Sequence, residues 1–253
     1  MPHVIHYPEG TSLFSAVYPH RQVDCADEER CRALAEEFRA LRRARGPARA
    51  AEEWFGPILD DWLGLLDDDS LDVFDCPASL LCSLGVAVNE SLAMRDALIM
   101  AAVTDPFRWD RGMLMDFAAH PHEQATTRSM GRMLSASFDD PYDVPDLARM
   151  ERAIGLCERM GEILPRDLVA QPFAFASYVA WWTGSKRALS LAVLALDVDG
   201  SVSLADIVVS AVLRGVMPAW VAEAAAGTAD ELADGMDDGD DGDGADDGSD
   251  AVS

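Results

Sequence analysis

Long apolar runs are missing from this chain of 253 residues. The longest nearly apolar stretch, residues 168–182, is interrupted by Gln171 and Pro172, and it is shorter than the roughly 20 residues that a membrane-spanning helix needs. The N-terminal sequence MPHVIHYPEG has neither the basic start nor the apolar centre of a secretory signal. We therefore expect a cytoplasmic protein that does not bind or cross a membrane.

Basic residues are also scarce, and Lys186 is the only lysine. The chain has 20 Lys and Arg against 45 Asp and Glu, which gives a formal net charge of −25. Eleven acidic residues lie between Asp230 and Asp250, so the rest of the chain still carries −14. Because an acidic surface repels phosphate groups, the composition argues against nucleic acid or an anionic membrane as a direct partner. A protein partner is expected to be basic.

The five cysteines lack the spacing of a metal site. The two close pairs have the form C-x5-C, whereas two thiolates that share one zinc ion usually have the form C-x2-C. Residues six apart lie about 120° from each other around a helix, so neither pair occupies one helical face. An odd number of cysteines without a secretory signal favours reduced thiols. We expect free structural cysteines at Cys25, Cys31, Cys76, Cys82 and Cys157.

Strand patterns are rare, and only VIHY (4–7) and SVSL (201–204) qualify as short extended pieces. Helical periodicity dominates instead: Leu34, Phe38 and Leu41 stand at i, i+4 and i+7, and about nine stretches of this kind follow one another. Gly46-Pro47 should end the first helix, and Gly56-Pro57 should kink or interrupt the next one. The sequence predicts an all-α fold.

Three regions are predicted along the chain. Residues 1–24 have no clear period and are expected to form an irregular lead-in, and residues 25–226 are expected to form a single multi-helix domain. Residues 227–253 consist mainly of Asp, Gly, Ala and Ser. Such a composition has too few apolar groups to offset the entropy lost on ordering, so we predict a disordered acidic tail.

The segment WWTGSKRALSLAVLALDVDGSVSLADIV (181–208) has three interpretations. If Gly200 occupies position 6 of a calcium loop, Asp197 and Asp199 occupy positions 3 and 5, but position 1 is Ala195, which has no side-chain oxygen. A phosphate loop would need an upstream glycine, which the Gly-Ser-Lys sequence here lacks. A pair of helices joined by turns accommodates every residue, so we favour two helical turns.

In the helical interpretation, Ser185 caps one helix and Ser203 caps the next, because each hydroxyl can accept a free backbone amide. Small residues at i, i+4 and i+7 (Ala188, Ala192, Ala195) would let a neighbouring helix pack closely. Gly215 should end the last helix. The spacing of the three alanines from Ala188 to Ala195, followed by an acidic turn, resembles a tetratricopeptide hairpin. The buried face of the last helix is predicted to consist of Leu204, Ile207, Val208, Ala211 and Val212.

Sequence motifs for catalysis are missing. The chain has no nucleophile elbow, no HExxH and no GxGxxG. The densest ligand-like cluster is His120-Pro121-His122-Glu123, but two histidines that are two residues apart cannot share a helical face, and Pro121 indicates a turn. We assign no catalytic residue, no cofactor and no metal site. The residues retained as candidate metal ligands are His120, His122, Asp197 and Asp199.

Residues 178–220, YVAWWTGSKRALSLAVLALDVDGSVSLADIVVSAVLRGVMPAW, and also NESLAMRDALI (89–99), resemble the C-terminal portion of the actinobacterial domain-of-unknown-function family 4192 (DUF4192). Members of this family end with an apolar helix, a small-residue helix after Gly, an aspartate-rich turn and a Leu-Ala helix that leads to Pro and Trp. The resemblance extends over roughly residues 50–220. The Gly-Phe-x-Pro-x-x-Ser segment of longer members has no counterpart here. The resemblance implies a helical cytosolic protein and no established activity.

Two main hypotheses for function remain open, together with a third in which the chain is a divergent remnant whose tail only aids solubility. The first is a non-enzymatic protein-interaction module with a basic partner. The second is an enzyme whose pocket is built from scattered Asp, Glu and His residues, including His120 or His122. An open groove lined by exposed apolar residues would favour the first, and buried acidic and His side chains that converge in a closed cleft would favour the second.

Overall fold

In the computed structural model, the described residues are 12–19 and 21–227, and these are helical or in turns and loops, without a strand. The predicted all-α fold is therefore confirmed. The helices are α1 Leu13–Val17, α2 Cys25–Arg45, α3 Pro47–Ala50, α4 Gly56–Asp67, α5 Ala78–Glu90, α6 Leu92–Val103, α7 Arg111–Ala119, α8 Gln124–Asp139, α9 Leu147–Ile163, α10 Ala170–Trp182, α11 Arg187–Val198 and α12 Ser203–Leu213. Residues 219–227 are also helical.

Local sequence signals set many of the helix boundaries. Ser91, Asp110 and Asp146 cap α6, α7 and α9, where each side chain accepts a hydrogen bond from the amide three residues later. Gly46 has a φ of +83°, and Pro47 then starts α3. The predicted interruption near Gly56-Pro57 is present as a π-helical turn, Ala51–Phe55, directly before α4. No helix in the described part of the chain has the length and apolar composition needed to cross a bilayer.

Helix α10 lies at the centre of the core and packs against α9, α11 and α12. It is apolar around almost its whole circumference, and Phe173, Phe175 and Trp182 are each at most 1% exposed. The buried Ser177 hydroxyl donates to the Ala174 carbonyl at 2.7 Å. One hydrophobic cluster extends from Phe14 in α1 to Val208 in α12.

The helical interpretation of residues 181–208 is confirmed. Gly184 adopts a φ of +67°, and the Ser185 amide donates to the Ala180 carbonyl at 2.9 Å, which ends α10. Ser185 lies one residue before the capping position of α11, which Lys186 occupies, so the predicted Ser185 cap is wrong; its hydroxyl still accepts the Arg187 amide at 3.2 Å. The three alanines of α11 are all buried, so this helix approaches α10 closely (Ala188, Ala192, Ala195).

Two details of α12 differ from the predictions. Ser203 is the first residue of the helix and its hydroxyl makes no capping bond; Val202 occupies the capping position, so the predicted cap and the predicted extended piece SVSL are both wrong. Ile207 is 55% exposed, although it was expected on the buried face. The neighbouring helices cover Leu204, Ala205 and Val208 and leave Ile207 in contact with solvent.

The lead-in is more ordered than expected in one part. Residues 13–17 form α1, and Phe14 packs its ring against Tyr18 and Phe173 at centroid distances of 5.3 and 5.9 Å. The prediction of an irregular lead-in is therefore wrong for these residues. The VIHY segment and residues 228–253 of the predicted tail lie outside the described residues, whereas Gly227 itself is helical.

Candidate functional site

An apolar cavity of about 320 Å³ opens to solvent between α6, α8, α10 and α12, and we call it the α12 groove. Six of its nine lining residues are aliphatic or methionine, which makes it a surface for binding apolar groups. The lining residues are Arg95, Asp96, Ile99, Met100, Met130, Leu134, Tyr178, Leu204 and Ile207.

The mouth of the groove exists because α12 carries more apolar residues than its neighbours cover. Leu204 and Val208 face the core, whereas Ile207 is exposed at the edge of the cavity. After α12 the chain turns back, and the Trp181 indole nitrogen donates to the Val216 carbonyl at 2.7 Å. Three further apolar side chains are exposed in this part of the chain (Leu213, Val216, Met217).

One side of the groove is polar and already hydrogen-bonded. Arg95 is only 6% exposed, and its Nε and Nη2 atoms donate to Asp96 Oδ1 at 3.0 and 2.8 Å. Its Nη1 donates to Gln171 Oε1 at 2.9 Å. The Asp96 side chain is 42% exposed, so a carboxylate lies at the rim. A bound cationic group could reach it there.

Tyr178 supplies the hydroxyl of the groove. Burial raises its pKa above the ordinary value, so the phenol stays protonated at neutral pH. A neutral phenol can donate or accept a hydrogen bond, but it does not act as a base near pH 7. The groove contains one carboxylate and no His or Cys. The groove thus offers a ligand an apolar surface, one carboxylate and one hydroxyl.

The two histidine candidates lie away from the groove. His120 follows the end of α7, and its Nδ1 is 3.4 Å from Glu123 Oε1. His122 is exposed in the turn that Pro121 predicted. Across residues 12–19 and 21–227, no group of three or more His, Cys, Asp or Glu side chains is arranged to hold a metal ion.

The two aspartate candidates satisfy backbone amides. Asp197 Oδ2 accepts the Phe14 amide at 2.9 Å and so holds the start of α1. Asp199 Oδ1 accepts the amide and the hydroxyl of Ser201 at 2.9 and 2.7 Å. These bonds lower the pKa of Asp199 below its ordinary value. The two carboxylates therefore have separate structural partners.

Replacement of Asp197 by Ala is expected to loosen α1 without unfolding the protein. The Phe14 amide would lose its acceptor, which costs about 1 kcal/mol locally because the aspartate is exposed to solvent. Hydrogen exchange should become several-fold faster in residues 13–17 and stay unchanged in α10. Asp199→Ala is the control, since it should leave exchange in α1 unchanged. Equal exchange in wild type and Asp197→Ala would contradict the assigned role.

The groove residues carry only a faint signal in the sequence. Met130 and Leu134 stand four residues apart on α8. Five apolar residues of α12 were predicted to face the core, and a single neighbouring helix cannot cover all five side chains. No protein-family model, curated protein or solved structure matches this chain. What the protein does must therefore be inferred from its own residues.

Proposed function

We propose that this protein is a non-enzymatic interaction module whose α12 groove receives an amphipathic segment of a basic protein partner. The observation that carries this proposal is the position of Ile207, an exposed aliphatic side chain at the mouth of an apolar cavity. Amphipathic helices commonly bind such grooves through apolar anchors at i, i+3 and i+4. Met100 and Met130 have flexible side chains that can adapt to the shape of an anchor.

The size of the groove limits what it can receive. A volume of about 320 Å³ is at the lower end of the range for small-molecule pockets. It accommodates one or two large side chains, and it is too small for an extended cofactor. Anchor residues such as Leu, Met or Phe on a partner helix fit this description.

Charge supports a basic partner. The carboxylate of Asp96 lies at the rim, and the chain outside its C-terminal acidic run carries −14. A partner with Lys or Arg beside its anchors would be attracted at long range and would associate faster. The same charge repels nucleic acid, so we propose a protein as the partner, in the cytoplasm.

We also propose membership of the domain-of-unknown-function family 4192 and a tetratricopeptide-like hairpin over α10 and α11. The order of segments in residues 178–220 supports the family: an apolar helix, Gly184, an alanine-rich helix, an aspartate-rich turn and a helix that leads to Pro218 and Trp220. The burial of the α11 alanines beside α10 supports the hairpin.

The test of the binding proposal is the substitution Ile207→Asp in the full chain. The probe is a fluorescent amphipathic helical peptide with Leu anchors and Lys flanks, and its binding is followed by fluorescence anisotropy. A carboxylate at the mouth should weaken binding at least about tenfold, because it would have to be desolvated against an apolar ligand. Val193→Asp is the matched control, since Val193 is an exposed aliphatic residue of α11 that does not line the groove.

Two further measurements separate the groove from general electrostatics. A peptide with Glu flanks should bind more weakly than the one with Lys flanks, and the difference should shrink as salt is added. A chain ending at Gly227 should retain binding. Equal affinity of the wild type and Ile207→Asp for the Lys-flanked peptide would refute the proposal. Loss of binding when the tail is removed would assign the interaction to the tail alone.

A further inference from the structure

Cys31 of α2 and Cys82 of α5 lie beside each other, although they are 51 positions apart and belong to different C-x5-C pairs. The two helices pack together, and the two thiols are close enough to influence each other's ionisation, with Cys31 at 2% and Cys82 at 0% exposure. The Cys82 Sγ is also 3.8 Å from the Asp27 carbonyl oxygen. Both thiols are free. The tertiary structure thus brings together two thiols that are far apart in the sequence.

The environment of this pair differs from that of the other two described cysteines. The hydrogen bond from the Cys31 thiol raises the pKa of Cys31 and lowers the pKa of Cys82, because it stabilises a thiolate at Cys82. Arg30 also lowers the pKa of Cys82, whereas burial and the nearby Asp27 oppose the change. Burial raises the pKa of both Cys76 and Cys157. The first proton that the pair loses therefore comes from Cys82, and that thiolate is the more reactive form.

A small reagent has a route to Cys31, whereas Cys82 is covered. Cys31 lines a cavity of about 170 Å³ that opens between α2, α5 and the turn at Pro165. The cavity is also lined by Arg32, Arg39 and Glu90. Cys157, in contrast, is fully buried in α9. A peroxide-sized molecule fits the cavity, whereas a protein oxidant does not.

We propose that Cys31 and Cys82 are a reversible redox site that closes to a disulfide and joins α2 covalently to α5, with hydrogen peroxide as the oxidant. In the first step the Cys31 sulfur, which lines the cavity, passes its proton to the Cys82 thiolate and attacks peroxide. An S–O bond forms, the O–O bond breaks, and the leaving hydroxide takes a proton to become water. The second sulfur, after losing its proton, then attacks the sulfenic acid. The S–S bond forms, the S–O bond breaks and a second water leaves, so two sulfurs lose two electrons in total and one peroxide gains them.

The disulfide would add a constraint where ionic contacts already join the two helices. The Arg39 guanidinium donates to both oxygens of Glu90 at 2.6 and 3.0 Å. A covalent link between residues 51 positions apart removes much more freedom from the unfolded chain than such an exposed ion pair does. The melting temperature should therefore rise on oxidation by about 5–10 °C. This site does not depend on the proposed function of the α12 groove.

The test treats the full chain with hydrogen peroxide and counts free thiols after denaturation. We expect the count to fall from five to three, mass spectrometry to find a peptide pair linked through Cys31 and Cys82, and a dithiol reductant to restore all five. A link to another cysteine or irreversible overoxidation of one residue would overturn the proposal.

Cysteine-to-serine substitutions provide a second test of the disulfide. Cys31→Ser and Cys82→Ser should each abolish the linked peptide and the rise in melting temperature, whereas Cys157→Ser should retain both. If a variant fails to fold, the wild-type measurement still decides the matter. Loss of the Cys157 thiol at the same rate as Cys31 and Cys82 would mean that the reagent reacts only with unfolded chains, and it would refute the proposed site.

Discussion

Replacement of Gly161 by Ala is expected to destabilise the protein by about 1–3 kcal/mol, although the same change usually stabilises a helix. Gly161 lies inside α9, and a Cβ atom there would be 2.3 Å from Cζ and 2.6 Å from Cε1 of Phe173. The Phe173 ring is fully buried and also packs against Phe14 and Tyr18, so it has little room to move. The clash should outweigh the gain in helix propensity.

Gly131→Ala is the matched control, because Gly131 is an exposed residue inside α8 and a Cβ atom there meets nothing within 4 Å. It should stabilise the protein by about 0.5–1 kcal/mol, since alanine has less freedom to lose on folding. Urea unfolding followed by circular dichroism measures both changes. Phe173→Leu should relieve part of the clash in a Gly161→Ala background. If both alanine variants were more stable than wild type, the close approach of α9 and α10 would be disproved.

Replacement of Arg149 by Ala should cost about 2–4 kcal/mol, because it removes a buried guanidinium that several groups depend on. Arg149 is 2% exposed; its Nε donates to the Ala101 carbonyl at 3.0 Å and its Nη1 to Asp67. The guanidinium carbon also lies 5.8 Å from the centroid of the Trp109 ring. Without the side chain, the Ala101 carbonyl loses a buried donor and a cavity forms between α6 and α9.

Two variants separate packing from charge at this position. Arg149→Met should cost less than Arg149→Ala because it fills most of the volume, and both variants remove the guanidinium nitrogen that has no hydrogen-bond partner. Arg128→Ala is the control on the exposed surface of α8 and should change the free energy of unfolding by less than about 0.5 kcal/mol. Thermal and urea unfolding measure all three. An Arg149→Ala protein as stable as Arg128→Ala would contradict the assigned role.

The chemistry of the chain was only partly predictable. The sequence favoured a turn over a phosphate loop at Gly184, and Gly184 does end α10 in a turn. It also singled out Asp197 and Asp199, whose carboxylates turned out to accept backbone amides. The Phe14 amide is 183 positions away from Asp197, so no local pattern could reveal that contact. The α12 groove needs residues from four helices and is invisible in any single stretch.

The sequence by itself determined most of the helical elements and several of their ends. Periodic apolar residues, Gly46-Pro47, Gly184 and Gly215 act within a few residues of each other, so their effect on the backbone is local. Only the tertiary structure decided which side of each helix is covered. Ile207 is exposed because no helix covers it, Cys31 meets Cys82 because α2 packs on α5, and Gly161 is required because α10 approaches α9 closely. Helical periodicity indicates that a face can be buried, but only the positions of the other helices determine whether it is.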